Sequence, residues 1–380
     1  MKTLAPIRLS LTATVLYLTI APLTGCSLVP TAPASVPVEY TFDRGVNISH
    51  WIAQNRSDRP YGAPWFSEED VQWITEQGFD HIRIPVDARL WMNDDGSLNE
   101  SALTPFDKAC VWAQTNALGV ILDMHTLPGA NFSSKSPDNS LFTSDALLET
   151  TARFWGTTAS HYADAGPWLR FELLNEPVAE KNHQLNPVQA RLLAAIRETN
   201  PIRVVHLTSN QWSKFRTVRD LRLPADPNIA LTVHFYDPPP FTHQLAGWTE
   251  YKRLKQPFEF PGVVPDLTSI LPPGHSRLAL SGKLINAENI IDPEFQQLAD
   301  WAQQNAPGME IHIGEFGVYG AAPPESIRRY YAAVVTAAER HGFGWAAWDY
   351  QGGFAVRAPD GSATKAMQGI IEGINSTPAK

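Results

Sequence analysis

From residue 43 onward, short runs of apolar and β-branched residues alternate with longer stretches patterned as amphipathic helices. The first pattern predicts strands buried on both faces, and the second predicts helices laid over them. Strands are predicted at 43–49, 81–86, 119–125, 169–177, 203–209, 229–236, 310–317 and 344–350. Helices are predicted at 67–77, 104–118, 145–162, 187–198, 293–304 and 325–341. Strand followed by helix, repeated along the chain, makes a parallel sheet with crossover connections. Eight such repeats fit an α/β chain closed into a (β/α)8 TIM barrel better than an open doubly wound sheet. No second domain boundary interrupts them, so residues 41–376 are expected to form one body.

Two connections exceed what a crossover needs: the proline-rich 237–292, between the sixth strand and its helix, and 126–144, after the third strand. Both leave the C-terminal ends of strands, the barrel face that carries active sites, so the longer one is expected to wall a cleft.

The start of the chain follows a different pattern. Lys2 and Arg8 precede an uncharged stretch, 9–23, that reads as a secretory leader. It ends in Leu23-Thr24-Gly25-Cys26, similar to a bacterial lipobox, whose cysteine is lipidated and becomes the first mature residue. Residues 1–25 are therefore expected to be a signal peptide, Cys26 a lipidation site and 26–40 a proline-rich tether. The expected location is the bacterial cell envelope, membrane-anchored at the outer membrane or the periplasmic face. No other apolar run is long enough to span a bilayer as a helix. With Cys26 acylated, Cys110 has no partner, so no disulfide is expected.

The formal charge of −9 becomes −11 once Lys2 and Arg8 leave with the leader. Such acidity argues against a nucleic-acid partner and is compatible with a neutral polymer. No glycine-rich dinucleotide motif or P-loop follows a strand, and no cofactor is expected.

Polar residues gather at the C-terminal ends of otherwise apolar strands: Arg83, His125, Asn175, Glu176, His234, Tyr236, Glu315, with Trp348 beside them. One buried polar group has a structural explanation; eight positions on one rim would cost several kcal/mol of desolvation without a function. Glu176 and Glu315 end the fourth and seventh strands, which face each other across a barrel. Two carboxyls about 5–5.5 Å apart can cleave a glycosidic bond with retention, one as proton donor and one as nucleophile. Arg83 and Tyr236 can hold Glu315 ionised while Glu176 keeps its proton in a drier setting. On a regular strand Asn175 and Glu176 would point to opposite faces, so both serve only if the strand ends or bulges, as Pro177 permits. Asp123 shares strand parity with His125 and can orient it; Glu172 lies deeper and reads as structural. The first strand lacks a His-x-His pair, so no metal centre is expected.

The segments RGVNISHW, HIRIPV, DMH, LLNEP, VHFYDP, IGEFG and WDY occur in an order similar to that of glycoside hydrolase family 5, in clan A of (β/α)8 retaining glycosidases. The resemblance implies Glu176 as acid/base, Glu315 as nucleophile, Asn175 as ligand of the sugar 2-hydroxyl and Trp348 as the platform beneath the cleaved unit. Arg83, His125, His234 and Tyr236 would form the supporting hydrogen-bond shell. Trp212, in SNQW, and Trp51 are further expected substrate contacts, with Trp248 and His243 on the same face. The implied substrate is a β-glucan cut endo-fashion at 1,4 linkages. An exo-acting β-1,3-glucanase, suggested by LPGAN after His125, or a β-mannanase is the alternative on the same fold. A metal-dependent barrel hydrolase or a non-catalytic glycan-binding lipoprotein is the remote one; the second would have lost a glutamate. The anchored enzyme is expected to be a monomer.

Overall fold

In the computed structural model, residues 39–54, 61–132 and 138–377 are described. The expected signal peptide, Cys26 and nearly all of the tether lie outside them. Eight parallel strands close into a barrel: β1 Arg44–Asn47, β2 His81–Asp87, β3 Gly119–Thr126, β4 Leu169–Glu172, β5 Val205–Thr208, β6 Ile229–Phe235, β7 Glu310–Phe316 and β8 Gly344–Ala347. Closure runs through β1, where Gly45 registers with His81 on one side and with Ala346 on the other. Almost every strand position is buried, as parallel strands covered on both faces require.

Among the described residues seven long helices form the outer layer: α1 Glu68–Glu76, α2 Thr104–Thr115, α3 Asp145–His161, α4 Leu185–Arg197, α5 Asp292–Asn305, α6 Pro324–His341 and α7 Lys365–Asn375. Their ends follow local chemistry. Ser67 and Asp70 make a reciprocal capping box before α1, Ser144 accepts the Leu147 amide at the start of α3, and Gly342 ends α6 in the left-handed region at φ 69°. Gly369 lets α7 lie directly on α6, since a Cβ there would sit 2.2 Å from the Arg328 carbonyl oxygen.

Two expectations need correction. The fifth crossover has no long helix: a left-handed run, Gln211 to Ser213, opens it and a short 3₁₀ segment, Phe215–Asp220, stands where the helix would be. Strands predicted to reach 177 and 350 stop at Glu172 and Ala347. Apolar pattern runs on past the point where the ladder ends.

The connection between β6 and α5 is not a bare loop. It holds a two-stranded ribbon, Gly262–Val263 against Leu284–Ile285, and its buried residues, Phe241, Phe260 and Leu267 among them, join the main hydrophobic core. Phe241 and Phe260 pack on Tyr330 of α6, and Tyr330 donates to the Asp237 carbonyl at 2.8 Å. Among the described residues no helix is long and apolar enough to cross a membrane. Cys110 is a buried free thiol.

Candidate active site

A fully buried guanidinium organises the C-terminal mouth of the barrel. Arg83, on β2, donates from Nε and Nη2 to the two oxygens of Glu172 at 2.9 and 2.7 Å, a bidentate pair with β4. Its Nη2 also reaches Asn175 Oδ1 at 2.9 Å and Asp123 Oδ2 at 3.0 Å. Nη1 donates to Asn47 Oδ1 at 2.8 Å and to Glu315 Oε1 at 2.9 Å. One side chain thus ties β1, β3, β4 and β7 together. A buried charge is tolerable only with such partners. Glu172 is the structural group its depth suggested.

Glu315, on β7, accepts on both oxygens, Oε1 from Arg83 and Oε2 from the Tyr236 hydroxyl at 3.0 Å. Glu176 is delivered differently. Beyond β4 the Asn175 amide still donates to the Met124 carbonyl at 3.2 Å, and then Glu176 turns left-handed at φ 44°. That break lets adjacent residues serve one site: Asn175 Oδ1 takes Arg83, while Glu176 Oε1 lies 3.0 Å from His234 Nδ1. A non-glycine residue there costs on the order of 1–3 kcal/mol, a strain typical of working positions. An oxygen of Glu176, an oxygen of Glu315 and a nitrogen of His234 all lie within 4.8 Å of one another.

The environments of the two carboxyls differ. Burial pushes Glu176 up to about 7, against the pull of His125 and Arg83. Burial also raises Glu315, with His234 and Arg83 opposing it. Burial drives both His125 and His234 down to about 4, so at neutral pH the fixed positive charge beside Glu315 is Arg83. With two donors on Glu315 and one imidazole near Glu176, the proton belongs on Glu176.

Asp123 Oδ2 sits 2.8 Å from His125 Nδ1, and the His125 ring stacks on Trp348 with centroids 5.6 Å apart and planes 8° from parallel. Burial lifts Asp123 to about 7, with Arg83 opposing. Among the described residues Asn175 Nδ2, His125 Nε2 and His234 Nε2 are buried without a protein partner. Unmet polar groups of this kind are what a bound sugar's hydroxyls satisfy.

The two remaining tryptophans part company. Trp212 is 41% exposed; its amide donates to the Pro177 carbonyl at 3.2 Å and its indole to the Phe132 carbonyl at 3.0 Å, beside Glu176 in the chain. Gln211, Trp212 and Ser213 are all left-handed. Trp51 is a correction: at 2% exposure, packed on Phe66 at 5.1 Å, it belongs to the core and offers no face to a substrate. The sequence located it just past a strand end but held no sign of which way the indole folds. Sequence reasoning missed Asn47, whose amide donates to the Gly314 carbonyl at 2.9 Å while its oxygen takes Arg83. It also missed Asp349, which accepts from Ser49 and from the Gly352 and Phe354 amides and shapes the loop after β8. A polar residue inside an apolar strand was the available signal for Asn47.

Glu176, His234 and Glu315 have the spacing of cation ligands. Their chemistry opposes one, because both Glu315 oxygens already accept hydrogen bonds and a guanidinium stands 2.9 Å away.

The chain is similar to known proteins over most of its length. Endoglucanase C of Acetivibrio thermocellus is 28% identical over 319 residues, covering 82% of this chain and 92% of its own. Cellodextrinase A of Ruminococcus flavefaciens is 26% identical over 304 residues, covering 79% and 82%. Among solved structures, cellulose synthase subunit Z of Clostridioides difficile superposes with a TM-score of 0.71 at 25% identity, over 87% of this chain and all of that one. A hyperthermophilic endo-β-1,4-glucanase solved with substrate superposes at 0.70 over 87% of this chain and 97% of its own; at 24% identity it speaks for the fold. The sequence model described as cellulase, glycosyl hydrolase family 5, matches residues 45–353, from β1 through the loop after β8 and across every carboxyl of the site; the chain is a glycoside hydrolase of family 5.

Proposed function

We propose that the chain is a retaining endo-β-1,4-glucanase, with Glu176 as acid/base and Glu315 as nucleophile. One observation carries the stereochemistry: carboxyl oxygens inside 4.8 Å belong to the close, retaining arrangement of about 5–5.5 Å and not to the inverting one of about 6.5–9.5 Å. The substrate class rests on the endoglucanase and cellodextrinase relatives.

In the first step a Glu315 oxygen attacks the anomeric carbon while Glu176 gives its proton to the departing glycosidic oxygen. Arg83 and Tyr236 hold Glu315 in the attacking pose. Once Glu315 is esterified its charge is gone and the repulsion between the two groups falls. Glu176, having given up its proton, stays ionised and takes a proton from water as the water oxygen bonds to the anomeric carbon and the ester bond to Glu315 breaks, freeing the sugar and restoring both carboxyls. The unpaired Asn175 Nδ2 and His125 Nε2 are suited to the hydroxyls of the reacting unit, with Trp348 beneath it and Trp212 under a neighbour. Cys26, lipidated, would hold the enzyme at the cell envelope.

Glu315→Ala and Glu176→Ala test the roles. Each should lose orders of magnitude of activity on a soluble β-1,4-glucan and keep its fold by circular dichroism. Azide should restore turnover of an activated aryl glycoside, giving the α-glycosyl azide with Glu315→Ala and the β-azide with Glu176→Ala. Near-normal activity in either variant, or the anomers reversed, overturns the assignment.

A further inference from the structure

The catalytic scheme leaves one buried carboxyl without a task. Asp123, on β3, is fully buried, and the alternation of the strand sends it and His125 to the same side. A carboxyl in such a place costs several kcal/mol of desolvation unless its neighbours use it. Two neighbours do: Asp123 Oδ2 lies 3.0 Å from Arg83 Nη2 and 2.8 Å from His125 Nδ1. Among the described residues Asp123 Oδ1 has no hydrogen-bond partner. The two oxygens therefore differ in kind. Facing a guanidinium, Oδ2 is the one that accepts, and any proton the carboxyl takes up belongs on Oδ1. Burial lifts Asp123 to about 7, with Arg83 opposing, so both forms occur near neutral pH and Oδ2 accepts in each.

That acceptor decides where the imidazole keeps its hydrogen. Burial drives His125 down to about 4, so at neutral pH the ring is uncharged and carries a single N–H. The hydrogen sits on Nδ1, and Nε2 is left with a lone pair. Packing fixes the ring: it is 2% exposed, stacks on Trp348 at 5.6 Å and 8°, and meets Phe132 edge to face at 5.3 Å and 83°. Among the described residues Nε2 has no partner. Asn175 makes the opposite offer, because its Oδ1 takes Arg83 and its unpartnered Nδ2 can only donate.

We propose that Asp123 is a positioning residue that sets the direction of one hydrogen bond to the sugar: by keeping the His125 hydrogen on Nδ1, it makes Nε2 an acceptor for a free hydroxyl of the reacting unit. A hydroxyl can donate and so satisfies this nitrogen. An ether or ester oxygen only accepts, and it would set its own lone pair against that of Nε2. The substrate is then a glucan unsubstituted at that hydroxyl, and O-alkylated or O-acylated units are turned away from the reacting position. Discrimination of this kind is strong, because the wrong group leaves a buried polar atom unmet. This rests on the β-glucanase reading above and adds to it the substitution pattern that the substrate must have.

The tautomer is read first, in the native protein. With the histidine nitrogens isotope-labelled, NMR should show the His125 hydrogen on Nδ1 and Nε2 bare, the signals being assigned by their loss in His125→Gln. A hydrogen on Nε2 overturns the proposal. Next, kcat/KM is measured for aryl β-cellobiosides whose reacting glucose carries fluorine, an acceptor only, in place of one hydroxyl at a time. The penalty for fluorine, relative to the parent substrate, is compared among the native protein, Asp123→Ala and Asp123→Asn. At one ring position it should shrink about tenfold in Asp123→Ala, where Nε2 is free to take the hydrogen. It should stay near its native size in Asp123→Asn, whose amide oxygen still accepts from Nδ1. A merely structural role would slow parent and fluorinated substrates alike. Penalties that are equal in all three proteins, or equally reduced in both variants, overturn the proposal. If the native protein turned over no cellobioside at all, the glucanase reading would fall, and the nitrogen spectrum would still decide the tautomer.

Discussion

At the scale of single residues, function here depends on who shares a proton. Asp123, Glu172 and Glu315 pair with one guanidinium, whereas Glu176 faces the imidazole of His234. Glu176, pushed up to about 7 by burial, is the group whose proton the reaction needs. The sign follows: the general acid works only while protonated, so kcat/KM should fall as pH rises through about 7. With Glu176→Ala and an aryl glycoside whose leaving group needs no acid, that alkaline limb should vanish; a limb that persists unchanged would assign it to another group. Both glutamates were readable from sequence because acids at strand ends are costly without a purpose. The fate of Trp51 was not, since a side chain's direction just past a strand depends on packing that no periodicity encodes.

At the scale of elements, the strands carry polar residues at both ends of the barrel. Beneath the catalytic layer, His81 on β2, His206 on β5 and His312 on β7 are buried together. His81 Nε2 lies 3.0 Å from His312 Nε2, and the His206 and His312 rings meet edge to face at 5.4 Å. Asp80 takes His81 Nδ1 at 2.6 Å, while among the described residues His206 has no hydrogen-bond partner on either nitrogen. Burial, with Arg170, His81 and Arg83 facing them, holds His206 and His312 well below the usual histidine range. The unfolded chain binds protons at about pH 6.5 where the folded one refuses them, so stability is lost as pH falls below that value. His206→Leu should move the acid-unfolding midpoint to lower pH, read by tryptophan fluorescence; an unmoved midpoint would place the acid limit elsewhere. The eight strands were legible because parallel strands are apolar throughout. The missing fifth helix and the early end of β4 were not: a left-handed run, Gln211 to Ser213, occupies the start of the fifth crossover, and past Glu172 the backbone keeps single bonds, Leu173 amide to His206 carbonyl and Asn175 amide to Met124 carbonyl.

At the scale of the molecule, the barrel brings together on one face residues far apart in sequence, and the β6–α5 connection adds a structured rim to it. The sequence showed that this connection was long; its seating on α6 arises from contacts that only the folded chain makes. The expected anchor is tested at the same scale. In a Gram-negative host, Cys26→Ser should shift the enzyme from the membrane to the soluble fraction with its kcat preserved, whereas equal membrane retention would rule out lipidation at that residue. The central claim concerns the gap between Glu176 and Glu315, and the stereochemistry of the first product reports on it directly. Proton NMR of a β-1,4-gluco-oligosaccharide digest, recorded before mutarotation, should show the new reducing end appearing as the β-anomer. Initial appearance of the α-anomer would mean inversion and would contradict the paired-carboxyl mechanism.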